Sequence, residues 1–341
     1  MISASRARRR AAAEPPRPGA ALAVGSVLMA ASLGRAAAVP GLWWLGLTWH
    51  SVWFHADMPL LRARRAASSV ALALLVLGTV LSPLPTSAAP TSTSADTGRF
   101  AGTARLPGCS GALVRWPAAL DTDRGVVITN GHCVRFPFLG AREVLVDQER
   151  WTRVELLDGR GEVARAARAV RLDYAAMFRT DLAVLTLRET YAELAGAGVA
   201  PLTLAEAGPS RGDRIRIPSA YWTEQRVCAT RGTAYRLHER AWDWWRSIRL
   251  PARDGCAIRG GYSGSPIVSR STGLVVGIAN TGYVGGRRCI DSACEEDRRG
   301  RVRMVPHMNY GQQTSWLLGC LDGGRAFDLD TPGCRLAKPR A

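Results

Sequence analysis

Three short segments carry side chains that together could perform acyl transfer. Val126-Val-Ile-Thr-Asn-Gly-His132-Cys133 places a histidine directly after an apolar run. Arg179-Thr-Asp181-Leu-Ala-Val-Leu-Thr-Leu187 places an aspartate at the mouth of another. Gly260-Gly-Tyr-Ser263-Gly-Ser-Pro266 places a serine in a glycine-rich turn before Ile267-Val268. A serine hydroxyl is a poor nucleophile at neutral pH and needs a base beside it. His132 could take the proton of Ser263 and later give it to a leaving amine. Asp181 could fix the histidine tautomer and stabilise the imidazolium. The glycines would let the backbone N–H groups of Gly261 and Ser263 face a developing oxyanion. Each segment alone is commonplace; their combination and chain order carry the argument.

Such side chains need rigid elements behind them. From about residue 99 the chain consists of short β-rich runs separated by Gly, Pro and Asp: Gly111–Val114, Gly125–Thr129, Val144–Val146, Leu182–Leu187, Arg214–Ile217 and Leu274–Ala279. This spacing predicts an all-β sandwich or barrel rather than βαβ units. Gln312–Leu318 reads as a short C-terminal helix. The segment His238–Ile248, with Trp242, Trp244 and Trp245, reads either as a substrate or partner surface near a cleft or as a hairpin capping the second half. His50, His55, His238 and His307 lie in no partner motif and receive no role.

The His-Cys pair, the Asp-Leu-Ala-Val-Leu run and the Gly-x-Ser-Gly-x-Pro turn, in this order, resemble the chymotrypsin-like (trypsin-like) serine peptidases. The resemblance spans roughly Arg99 to Cys320, and the turn is most similar to that of bacterial secreted members, including the glutamyl-endopeptidase-like group. It implies two six-stranded antiparallel β-barrels with the active site in the cleft between them. It implies a His132/Asp181/Ser263 triad, an oxyanion hole of Gly261 and Ser263, and a substrate pocket around Ala257, Ile258, Asn280, Thr281 and Gly282. Peptides are the implied substrates, and neither metal nor organic cofactor is implied. The pocket stretches contain no acid, Asp254 being the nearest, so cleavage after neutral residues is expected, with acidic residues second and Arg or Lys disfavoured. Many members use an Asp immediately before the nucleophile to pair with a new N-terminus. Here that position is Tyr262, and no Ile-Val-Gly-Gly-like start lies near residue 99, so no such activation salt bridge is expected. A catalytically inactive peptidase-like binding module, or a membrane-anchored extracellular sensor, is the alternative.

All eight cysteines lie between Cys109 and Cys334. An even count confined to one region suggests disulfides and an oxidising compartment; reduced thiols or a metal site are the alternative, though no second pair stands at zinc spacing from Cys289 and Cys294. The family commonly bridges the positions of Cys109 and Cys133. Cys320–Cys334 is paired next, with Cys228–Cys256 and Cys289–Cys294 favoured and Cys256–Cys289 a rival.

Composition bounds the rest. The chain has 341 residues, 47% hydrophobic and 21% charged, with 45 Lys plus Arg against 28 Asp plus Glu. That excludes wholesale disorder. Lys338 is the one lysine, so the net charge of +17 reflects an arginine bias rather than a nucleic-acid footprint. No compact basic run lies outside the N-terminus, and no nucleic-acid partner is expected. Residues 58–88 read as a signal peptide, with basic Met58–Arg65, apolar Ser69–Leu81 and small Thr86–Ala89. Residues 89–98 read as a flexible leader, and 99–341 as the peptidase domain with its halves meeting near 200–212. Residues 1–57 include an uncharged apolar stretch, 36–56, with four tryptophans. It is either untranslated, Met58 being the true start, or inserted in a membrane. A secreted, extracellular monomer is the expectation, with membrane contact only if 36–56 is translated and inserted.

Overall fold

The computed structural model describes residues 98–340. The upstream segment, the signal-peptide reading and all but the last residue of the leader lie outside the described residues. Among the described residues, no helix is long and apolar enough to cross a membrane.

Six strands form a closed barrel: β1 (Thr103–Leu106), β2 (Cys109–Val114), β3 (Arg124–Thr129), β4 (Val144–Leu157), β5 (Val163–Ala176) and β6 (Leu182–Thr190). Their order around it is β1-β2-β3-β6-β5-β4. The closing pair sets Ala104 against Leu156 and Arg105 against Glu155. Helix α1 (Tyr191–Gly196) follows, started by a capping box between Thr190 and Glu193.

The second half contains β7 (Arg214–Ser219), β8 (Glu224–Ala229), β9 (Arg236–Glu239), β10 (Trp242–Trp245), β11 (Ile248–Pro251), β12 (Pro266–Ser269), β13 (Val275–Ala279), β14 (Cys294–Glu296), β15 (Val302–Met304) and β16 (Met308–Gln313). A six-stranded sheet runs β11-β16-β13-β12-β7-β8. It curls until its edges meet: Arg231 N donates to Arg249 O at 3.0 Å, and Arg249 N to Gly232 O at 2.8 Å. A second sheet, β10-β9-β14-β15, lies against both halves through its tryptophans.

Burial explains the pairing. Every residue of β2, β12 and β13 is buried, as apolar runs between neighbouring strands require. Leu113, Val127, Leu156, Leu172 and Leu185 fill the barrel, and Ile215, Ile217, Ile248, Leu250 and Ile267 fill the curled sheet. Val114, Ile128, Val184, Val268 and Ile278 join the two. Each such side chain contributes about 1.5–3 kcal/mol relative to an exposed position.

Two elements differ from the sequence expectation. The helix expected over Gln312–Leu318 is only α2 (Ser315–Leu318). Gln312 remains in β16 opposite Ile278, because its buried amide donates to Ser247 Oγ at 3.3 Å and accepts from Thr180 Oγ1 at 3.4 Å. Val144–Val146 begins a 14-residue strand whose partner β5 is written in alternating Ala and Arg, a pattern with little apolar signal.

Four disulfides are present: Cys109–Cys133, Cys228–Cys256, Cys289–Cys294 and Cys320–Cys334. The first spans 24 residues and ties β2 to the turn after β3. Replacing Cys109 and Cys133 together by Ser is expected to lower stability by about 3 kcal/mol, read as a fall in the denaturation midpoint.

Candidate active site

Strand β3 delivers His132. Past Thr129 the chain makes one 3-10 turn, Gly131–Cys133. Strand β6 opens beside it with Asp181, whose side chain is fully buried. His132 N donates to Asp181 Oδ1 at 3.1 Å, and His132 Nδ1 lies 2.8 Å from Asp181 Oδ2. A carboxylate can only accept, so Nδ1 carries the proton and Nε2 is left as the acceptor. Asn130 Nδ2 donates to Asp181 O at 2.8 Å, locking the two segments together. The approach is close: a Cβ on Gly131 would stand 2.2 Å from Ala176 O.

Hairpin β9-β10 braces the Asp181 loop from the other side. Arg179 N donates to Asp243 O at 2.9 Å and Trp245 N to Arg179 O at 2.8 Å. The buried Trp244 donates its indole N–H to Met177 O at 3.0 Å. The aromatic segment is thus a hairpin, and it also reaches the cleft. His238, within it, stands between the carboxylates of Asp243 and Glu296.

Burial alone would push the His132 imidazole down. The Asp181 carboxylate, by charge and hydrogen bond, and Glu239 more weakly, outweigh that, so its pKa lies above the ordinary histidine value. Cys109 and Cys133 offer sulfur atoms near His132, but these are joined to each other and provide no thiolate for a metal.

Ser263 sits in a turn held at nearly every peptide. Tyr262 N donates to Arg259 O at 3.0 Å, and Gly261 has φ +89°, as the third position of a type II turn requires. Trp222 Nε1 donates to Gly260 O at 2.7 Å. In a trans peptide N–H and C=O point opposite ways, so the Gly261 N–H faces away from Trp222. By the same rule the Ser263 N–H faces away from Ser265, whose N–H donates to Tyr262 O at 2.8 Å. Ser110, on the barrel strand β2, donates from Oγ to Gly261 O at 2.9 Å and from N to Ser263 O at 2.8 Å. Gly264 has φ +80°, and a Cβ there would stand 2.1 Å from Ser110 O, so only glycine fits. Ser263 Oγ donates to Asn280 O at 3.4 Å, a weak contact, and not to His132.

His132, Asp181 and Ser263 line one cleft of about 270 Å3. Ile258, Asn280, Thr281 and Gly282 line it, as do Phe138, Glu239, Trp242 and Trp244. Phe138 meets His132 edge-on, with ring centroids 5.7 Å apart. Ala257 is not brought in: it is exposed, and its carbonyl accepts from Arg226 Nε at 2.9 Å. Asp254 also lies outside, exposed and paired with Arg231 at 2.7 Å. The acid that does line the cleft is Glu239, which sequence reasoning missed because nothing local tied the hairpin to His132. Tyr262 is fully buried, with its hydroxyl 3.3 Å from Glu224 Oε2. A larger cleft of about 550 Å3 beside Arg246, Gln313 and Trp316 contains none of His132, Asp181 and Ser263.

Residues 109–278 match the family model described as the trypsin-like peptidase domain, and the chain belongs to the chymotrypsin-like serine peptidases. No curated protein matches the chain by sequence. Among solved structures it is similar to the protease domain of MamO from Magnetospirillum magneticum in its apo form, at 16% identity, covering 65% of this chain and 97% of that one, with a TM-score of 0.41. It is similar also to a Glu endopeptidase in complex with MPD, at 16% identity, 64% and 88% coverage and a TM-score of 0.40. A third is the thermostable serine protease AL20 from an extremophilic microorganism, at 16% identity, 64% and 92% coverage and a TM-score of 0.39.

The contact of Gly131 with Ala176 gives a test of the site's packing. Gly131→Ala is expected to cost about 1–3 kcal/mol of stability, the usual penalty for overpacking, while Gly196→Ala, where a Cβ meets nothing within 4 Å, should not destabilise. Thermal denaturation of the two variants compares them directly.

Proposed function

We propose that the protein is a secreted serine endopeptidase working through an acyl-enzyme. The observation that carries this reading is the 2.8 Å contact of His132 Nδ1 with Asp181 in the cleft that also receives Ser263. Ser263 Oγ, turned from Asn280 towards His132 by rotation of its side chain, attacks the carbonyl carbon of the scissile bond while Nε2 takes its proton. Hydrogen bonds at such sites are often long without substrate. The tetrahedral oxyanion is received by the N–H groups of Gly261 and Ser263. Collapse breaks the C–N bond, and the leaving amine takes the proton from Nε2. Water then attacks the acyl-serine, His132 takes a proton from it, and the acid departs as Oγ is reprotonated. Asp181 holds the ring throughout and stabilises its charged form.

Four disulfides support an oxidising, extracellular setting. Residues 58–88 act as a removable signal peptide in this reading, and the mature chain keeps Arg99, whose carbonyl accepts from Arg216 at 2.8 Å. Tyr262 replaces any acid that a new N-terminus could pair with, so trimming within residues 89–97 leaves activity unchanged. Ile258, apolar and half-buried, lines the cleft next to Gly282, which supports cleavage after an uncharged residue.

Three outcomes are expected. A fluorophosphonate probe labels the folded mature protein and not its Ser263→Ala variant; an unlabelled wild-type protein would contradict the enzyme reading and leave a binding module. His132 acts as a base only when neutral, and its pKa is raised, so kcat/KM climbs with pH through a midpoint above 6.5. A pH-rate profile with its acid limb below that value counts against the assignment. Trp222→Phe keeps the ring but removes the donor to Gly260 O. Losing one hydrogen bond of about 0.5–1.5 kcal/mol should lower kcat with KM little changed in steady-state kinetics.

A further inference from the structure

Three acids line the cleft, Asp181, Asp291 and Glu239, and most acids of the second half are paired with arginine. Asp291 pairs with Arg287 at 3.1 Å, Asp243 with Arg236 at 2.7 Å, Glu295 with Arg249 at 2.7 Å and Glu224 with Arg259 at 2.8 Å. Asp181 has His132. Glu239, half-buried on the cleft wall, has no ion-pair partner among the described residues. Its one hydrogen bond is from Thr281 Oγ1 to Oε2, at 2.7 Å, which leaves Oε1 without a donor among them.

Shortage of cations cannot explain this, since the chain holds 45 Lys plus Arg against 28 acids. Half-buried carboxylates are ordinarily paired, because desolvation penalises the charged form. Burial, and the Asp181 charge after it, push the Glu239 carboxyl above the usual carboxylate range, against the pull of the Thr281 hydrogen bond and of the His132 and Arg240 charges, neither of which forms an ion pair with it. A group kept in that condition on a cleft wall is a candidate for function. A cation arriving from outside would relieve the penalty.

The surroundings suit a long basic side chain. Phe138 and Trp242 line the same cleft, with ring centroids 5.9 Å apart. Such rings accept the methylene stem of Arg or Lys while its charged head reaches a carboxylate. Thr281 fixes where that carboxylate stands.

We infer that Glu239 is a specificity-determining residue, receiving the cationic side chain of an Arg or Lys in a peptide bound beside His132. This rests on the reading of the cleft as a peptide site. It adds a charged subsite to the neutral one at Ile258: the residue cut after is uncharged, and a neighbouring residue of the peptide is basic.

The test uses the Ser263→Ala protein, so that binding is read without hydrolysis. Peptides of one sequence, carrying Arg or its neutral isostere citrulline at one position at a time, are titrated by fluorescence anisotropy. At one position Arg should bind about ten- to a hundredfold tighter than citrulline, the range for a charge-assisted hydrogen bond. Adding Glu239→Gln should bring the two to within about threefold. Equal binding of Arg and citrulline peptides at every position overturns the inference, as does a preference that survives Glu239→Gln or an absence of binding by either peptide. The Arg–citrulline comparison needs no change at Glu239, so it stands even if that variant misfolds. If the wild-type protein hydrolyses no peptide yet the Glu239-dependent preference is present, the enzyme reading fails and the subsite remains.

Discussion

Asp181 has no exposure to water, and an ionised carboxylate in that position must find its donors within the protein. Left unpaired it would cost more than the few kcal/mol by which a domain is stable. Two donors come from one residue, the backbone and ring of His132, and much of the surrounding structure serves to bring them there. Strands β3 and β6 must be neighbours so that the end of one meets the start of the other. Residue 131 must lack a side chain, since Ala176 O occupies the space. Hairpin β9-β10 must fold back onto Arg179, which adopts φ +68°, and hold the loop from which the acid projects.

The serine turn obeys a different constraint. Its peptides are oriented one by one, from two sources. Ser110 reaches across from the barrel to the carbonyls of Gly261 and Ser263, while Trp222, just past β7, takes that of Gly260. The position of Ser263 is therefore set from both barrel and curled sheet. Sliding one against the other would disturb the turn before it disturbed either hydrophobic interior.

What could be read from the sequence followed the range of the interactions involved. His132, Asp181 and Ser263 each sit at the junction of an apolar strand and a turn, and those local patterns are visible residue by residue. So are the buried runs of β3, β6 and β13. Strand β5 was hidden, because its inward residues are mostly alanines among arginines and their burial depends on β4 and β6. Gln312 read as helix, although buried partners at Ser247 and Thr180 keep it extended. The family resemblance implies Ala257 as a pocket residue, whereas it is exposed and its carbonyl accepts from Arg226. Glu239 had no local signal at all. Its place beside Thr281 arises from the β9-β14 pairing and the docking of the hairpin, contacts between residues far apart in the chain.

The order of the strands bears on how the molecule is made. Chains fold as they emerge, N-terminal part first, and the closed barrel draws only on residues 103–190. A nascent barrel can therefore bring the end of β3 beside the start of β6, and Cys109 beside Cys133, while the hairpin that braces the Asp181 loop and the glycine-rich turn have yet to be synthesised. Ser263 takes its place only after β7 and β8 exist to receive β12 and the turn before it, and Asn280, which accepts its hydroxyl, comes later still. A polypeptide laid out in this sequence brings His132, Asp181 and Ser263 into one cleft only at the end of its own assembly.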